Sequence, residues 1–202
     1  MKVIEQLLAN AGISPIAGVD EAGRGACAGP LVIASVVLND PFAAELAVVR
    51  DSKEIPESKR DAVFDLIHQV AVSVSVVIVP ASEVDSRGVH AANLDGMRRA
   101  VQGLTVEPAY VLTDGYAIEG LGVPNLAVWK GDQVVVSISA ASVIAKVTRD
   151  RIMREMDLEF PHYGFAGHKG YITAAHTKAL NEHGPCAQHR QSFANVAALI
   201  HK

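Results

Sequence analysis

Three short apolar runs in this chain end on carboxylates. The run 16–20 stops at Asp20-Glu21, the run 109–112 leads into Thr113-Asp114-Gly115, and the run 125–129 stops at Lys130-Gly131-Asp132. Their length and composition predict strands, so the acids are delivered to strand ends along one edge of a sheet. Open α/β sheets place their sites at such edges.

The rest of the pattern supplies the frame. Leu31–Leu38 is a second β-branched run, and the glycine-rich segment before it predicts a tight connection from the first strand. Ala62, Val63, Leu66, Ile67 and Val70 recur at helical spacing over 58–70, whereas Ala71–Val79 alternates Val with Ser at the period of a half-buried strand. A polar connection is expected over 82–88 and a helix with Arg98 and Arg99 over 91–101. The Ala-rich stretch 134–158 predicts one buried helix with a polar edge. Short helices are expected at the N-terminus and over 172–182 and 192–200. Strands first, then alternation, then helices indicate an α/β fold, a mixed β-sheet flanked by helices. At 202 residues, 1–202 is expected to be a single domain.

The net charge of −4 speaks mildly against a nucleic-acid partner, but its distribution does not. Residues 1–140 hold ten Lys and Arg against seventeen Asp and Glu; 141–202 hold eight against five, with six of the eight histidines. Cations bound at an acidic cleft would also attract phosphate. The longest apolar stretches are too short to span a bilayer and the N-terminus lacks a signal-like apolar region, so a cytoplasmic protein is expected. No CxxC pairs Cys27 with Cys186, and structural zinc with His183 and His189 is not expected.

Asp20-Glu21-Ala22-Gly23-Arg24-Gly25 carries the strongest chemical signal. Adjacent strand residues point to opposite faces, but a bend at the strand end, permitted by the glycines, would bring both carboxylates to one site. Arg24 offers a planar fork suited to phosphate; a charged turn with Arg24 paired to Glu21 is the plainer reading. Asp114 and Asp132 shift the balance, because four carboxylates with few basic partners repel one another and require cations. Oxygen ligands favour Mg²⁺ or Mn²⁺, and such a pocket is the recurrent apparatus of phosphodiester hydrolysis. Ser139, Ser142, Lys146 and Arg149 share one face of the long helix, a face suited to a nucleic-acid backbone. Asp150 is a rival ligand to Asp132, better explained as the helical partner of Lys146. His168-Lys169-Gly170-Tyr171 sets an aromatic ring among cations. A non-catalytic nucleic-acid-binding module and a two-metal phosphatase acting on a small metabolite are the alternatives.

Gly18-Val19-Asp20-Glu21-Ala22-Gly23-Arg24-Gly25, Asp51-Ser52-Lys53, Lys130-Gly131-Asp132, Ala140-Ala141-Ser142-Val143-Ile144-Ala145-Lys146, His168-Lys169-Gly170-Tyr171 and His189-Arg190-Gln191-Ser192-Phe193 follow one another in an order that resembles the ribonuclease HII family, type 2 ribonucleases H. Asn195 departs from it where proline is expected. The resemblance implies a ribonuclease H-like fold with a C-terminal helical extension, about 160–202, that binds substrate. It implies a four-acid site of Asp20, Glu21, Asp114 and Asp132; in the mechanism expected from such a site, Asp20 would bridge two Mg²⁺ or Mn²⁺ ions. Gly23, Arg24 and Gly25 would contact the ribose 2′-hydroxyl, Tyr171 would pack beside the sugar, and Lys53, Ser142 and Lys146 would position phosphates. The implied partners are RNA–DNA hybrids and duplex DNA containing ribonucleotides, cut on the 5′ side of the ribonucleotide by a protein expected to be a monomer.

Overall fold

The computed structural model describes residues 3–49 and 51–200. Five strands form one sheet in the order β3-β2-β1-β4-β5: β1 Ile16–Ala22, β2 Leu31–Leu38, β3 Ala71–Val79, β4 Tyr110–Asp114 and β5 Asn125–Val128. β1 pairs antiparallel with β2 and parallel with β4; β2–β3 is antiparallel and β4–β5 parallel, so the sheet is mixed as expected. The glycine-rich segment joins β1 to β2.

All eight residues of β2 are buried, because the strand is covered on both faces. Val32, Ala34, Val36 and Leu38 pack with Val63 and Ile67 of α2 (Glu57–Val70) and with Ala140 and Ile144 of α6 (Val136–Glu159). Leu31, Ile33 and Val37 pack instead with Ala92, Met97 and Ala100 of α4 (Val89–Gln102). Gly18 lets α6 lie directly on β1: a Cβ there would fall 2.1 Å from the carbonyl carbon of Ser137.

Two expectations change. The segment 82–88 is mostly helical, α3 (Ala81–Arg87), with Ala81 and Val84 buried and Arg87 paired to Glu83 across one turn at 3.1 Å. The helix expected over 134–158 is present as α6, but it begins at Val136, because Val135 is extended (φ −125°, ψ 123°) and Val134 closes the separate short helix α5 (Gly131–Val134). No side chain at Val135 caps α6. Glu5, buried on α1 (Val3–Asn10), accepts from the backbone N–H groups of Val136 and Ser137 at 2.9 and 3.0 Å, a negative charge at the positive end of the longest helix described.

The C-terminal region holds α7 (Phe165–His168), α8 (Ala174–His183) and α9 (Ala194–Ile200); α9 lies within its expected range and α8 runs one residue past 182. It folds back on the β1–β2 connection: Cys27 N donates to Gly170 O, Gly29 N to Gln188 O and Arg190 N to Cys27 O. Among the described residues no helix is long and apolar enough to cross a membrane.

Candidate active site

Asp20 lies in the α6-facing row Gly18, Asp20, Ala22, and β1 stays paired with β2 as far as Ala22. The expected bend is absent, so Glu21 points to the α4 side, near Asn93. Asp114 ends β4, where its Oδ1 accepts from Gly131 N at 2.7 Å. That bond ties β4 to the turn at Lys130, whose left-handed backbone (φ 52°) starts α5 and places Asp132. Oxygens of Asp20, Asp114 and Asp132 consequently lie within 4.8 Å of one another, from three separate elements. Glu21 is outside that group but lines the same cleft.

The electrostatics fit a cation. Burial, then repulsion from Glu21 and Asp114, holds the Asp20 carboxyl well above its ordinary range. Burial, opposed by Arg24 and reinforced by Asp114, pushes Glu21 up to about 7. Burial also raises Asp132, with Asp114 and Asp51 adding to it. Oε2 of Glu21 is buried without a hydrogen-bond partner. A crowded all-oxygen donor set with an orphaned acceptor suits a hard divalent ion. Lys53 Nζ, 3.6 Å from Asp132, is the nearby positive charge, held over the cleft by the buried Asp51, which accepts from Lys53 N. Asp51 was not singled out as a site residue from the sequence; its signal was its place in the Asp51-Ser52-Lys53 block.

A cleft of about 380 Å³ runs beside the acids, lined by Gly23, Arg24, Gly25, Lys53, Ser142, Lys146 and Tyr171. The expected substrate residues therefore converge. Gly23 has a positive φ of 88°, and beyond Gly25 a Cβ would meet nothing within 4 Å, leaving its backbone open to a ligand. Arg24 lies over the Tyr116 ring at 4.7 Å, its Nε unpaired. Lys146 is bound to Asp150 at 2.7 Å, and Arg60 reaches the other oxygen of Asp150 at 3.7 Å, so that carboxylate is already engaged.

The proposed helix face divides. Ser142 and Lys146 open on the cleft, but Ser139 is buried, donating to Asp132 O and Val135 O. Arg149 is buried too, and its guanidinium donates to the carbonyls of Pro30, Lys169 and Ala28. Arg190 does the same for Gly29 and Arg24, and remains protonated at neutral pH although burial pushes it down to about 10. Two guanidiniums satisfied by carbonyls thus fasten the β1–β2 connection: Arg149 ties its Ala28–Pro30 part and Lys169 to α6, and Arg190 ties Arg24 and Gly29 to the segment between α8 and α9. Behind them, Tyr171 O accepts from Nδ1 of His176, which leaves His176 Nε2 to accept from His189 Nε2 at 3.0 Å and His189 Nδ1 to accept from Cys186 N.

The family described as Ribonuclease HII matches residues 17–196. The chain is 57% identical to Ribonuclease HII of Acidothermus cellulolyticus over 95% of its own length and 62% of that protein's. It is 55% identical to Ribonuclease HII of Mycolicibacterium smegmatis over 97% and 72%. The chain thus spans less than two thirds of the first relative. The crystal structure of ribonuclease H2 from Pyrococcus horikoshii superposes with a TM-score of 0.78 at 25% identity, covering 91% of this chain and 96% of that one. The fold is shared as well with Bst-RNase HIII, solved in complex with Mn²⁺, at a TM-score of 0.65 and 18% identity, over 96% and 72% of the two chains.

Proposed function

The chain belongs to the ribonuclease HII family, type 2 ribonucleases H, and we propose that it is an endoribonuclease that cuts the RNA strand of RNA–DNA hybrids and nicks duplex DNA on the 5′ side of a single embedded ribonucleotide. The observation that carries this reading is the meeting of Asp20, Asp114 and Asp132 within 4.8 Å beside a glycine loop whose open backbone and neighbouring Tyr171 suit a ribose. Such a site reads sugar chemistry rather than base sequence.

In this reading Asp20, Glu21, Asp114 and Asp132 hold the divalent ions, Mg²⁺ or Mn²⁺. Bound there, the ions supply the activation of water and the neutralisation of the leaving oxygen. The chain's own groups do the positioning. Backbone atoms of Gly23, Arg24 and Gly25 bond the 2′-hydroxyl, Tyr171 packs on the sugar, and Lys53, Ser142 and Lys146 hold phosphates. Water adds to phosphorus as the bond to the 3′ oxygen breaks, leaving a 3′-hydroxyl on the DNA and a 5′-phosphate on the ribonucleotide. Removal of misinserted ribonucleotides in the cytoplasm, by a monomer whose residues 160–202 help to hold the duplex, is the corresponding cellular task.

Mapping the ends produced from an end-labelled duplex with one ribonucleotide tests the reading. Cleavage immediately 5′ of the ribose with a 3′-hydroxyl end is expected; a cut on its 3′ side, or cutting of all-DNA duplex, would contradict it.

A further inference from the structure

A second cleft, about 500 Å³, opens on the other side of the acids. It shares Glu21, Arg24, Lys53 and Asp114 with the first cleft, but Tyr116, Trp129, Lys130 and Gln133 replace Ser142, Lys146 and Tyr171. Trp129 is the chain's single tryptophan and is 82% exposed. It follows Val128, which pairs with Asp114, and precedes Lys130 and Gly131, whose N–H is bound by Asp114. The ring is thus carried on a turn anchored at both ends to the end of β4, by backbone pairing at Val128 and by the Asp114 carboxylate at Gly131. Around it stand Arg24, Lys53, Lys130 and the Gln133 amide, a cationic and polar wall rather than an apolar one.

We propose that Trp129 and Lys130 form a nucleotide subsite on the far side of the acids from Tyr171. The ring packs on the sugar of the duplex strand that leaves the acid cleft, and the Lys130 ammonium meets its phosphate. Continuity with the acid cleft says what occupies the wall: a strand whose phosphate lies at Asp20 and Asp114 and whose one sugar lies at Tyr171 must pass its other neighbour over Trp129. Stacked bases of a duplex present no free face, whereas its sugars do, and a cationic rim suits phosphate more than an apolar protein surface. The inference rests on the nuclease reading above and adds the residues that grip the strand beyond the cut.

Because Trp129 is the single tryptophan, its fluorescence reports the subsite directly. With chelator present, titrating duplex DNA carrying one ribonucleotide, with binding followed independently by anisotropy of a label on the duplex, is expected to change Trp129 emission in step with binding. In cleavage assays Trp129→Ala is expected to raise KM about tenfold with kcat within about twofold, and Trp129→Phe to restore most of the loss, as aromatic contacts to nucleic acid do. Duplex binding that leaves the emission unchanged, a response to single strands but not to duplex, or a wild-type KM in Trp129→Ala would each overturn the subsite. A wild-type protein that binds duplex with an emission change but never cuts would overturn the nuclease reading and leave the subsite standing.

Discussion

Nε of Arg149 lies 1.9 Å from where a Cβ on Gly23 would be placed, so the loop beside the acids and the guanidinium beneath it occupy interlocking space. Arg149 cannot withdraw, because three carbonyls hold it. Gly23→Ala would combine that collision with a positive φ, and is expected to lower unfolding free energy by about 2 kcal/mol or more. Arg149→Lys, which keeps the charge but loses the fork, is expected to cost a similar amount, about 2–3 kcal/mol, by leaving buried carbonyls unpaired. Urea unfolding of both variants checks this; changes below about 0.5 kcal/mol, the level of an ordinary surface substitution, would contradict it.

Asp132 and Asp150 are separated by their partners. Asp132 belongs to the acid group, whereas Asp150 is engaged by Lys146 and Arg60. Asp132→Asn is expected to weaken Mn²⁺ binding, read by calorimetry, by about tenfold or more, and Asp150→Asn to leave it nearly unchanged while lowering the melting temperature. The reverse order would move the fourth acid to α6.

Glu21 makes metal binding pH-dependent. Its folded carboxyl titrates near 7, above its ordinary 4.5, so the metal-free native state keeps a proton that the unfolded chain releases, and its contribution to stability falls as pH rises from 4.5 to 7. An ion must expel that proton below pH 7. Mn²⁺ affinity is therefore expected to be about tenfold weaker at pH 6 than at pH 8, with the metal-induced rise in melting temperature larger at pH 8. Equal affinities at the two values would contradict the assignment.

His189 acts in the opposite sense. Burial first, and His176 second, push it down to about 4 from an ordinary 6.5, so the unfolded chain takes up a proton that the native state refuses. Its contribution is complete above pH 6.5 and is lost as pH falls towards 4, by up to about 3 kcal/mol. Glu21 offsets this in part over the same window, so the comparison is between the native protein and His189→Asn. Between pH 7 and pH 5 the native protein is expected to lose more stability in urea than the variant; parallel losses would show that His189 does not titrate as described.

Much of this was legible in the residues because it was local. The period-two run of β3, the helical spacing of α2 and Asp114 at the end of β4 all depend on neighbours in sequence, whereas β1 runs past Asp20 to Ala22 and Asp132 lies in α5, beyond the end of β5. What could not be read depended on distant partners. The break at Val135 follows from Glu5 capping α6 across 131 positions. Ser139 and Arg149 share a helix face with Ser142 and Lys146, yet they are buried because Asp132 and the β1–β2 connection fold over that part of the helix. Glu21 stays on the opposite face from Asp20 because pairing with β2 continues to Ala22, which adjacency in sequence does not reveal.

The most direct test is cleavage of a labelled DNA duplex containing one ribonucleotide, with Mg²⁺ or Mn²⁺ and with chelator, by the native protein and by Asp20→Asn. Cutting 5′ of the ribonucleotide is expected to need the metal and to fall by at least about a hundredfold in the variant. A duplex that is bound but left intact under both metals, or a variant that cuts as well as the native protein, would contradict it.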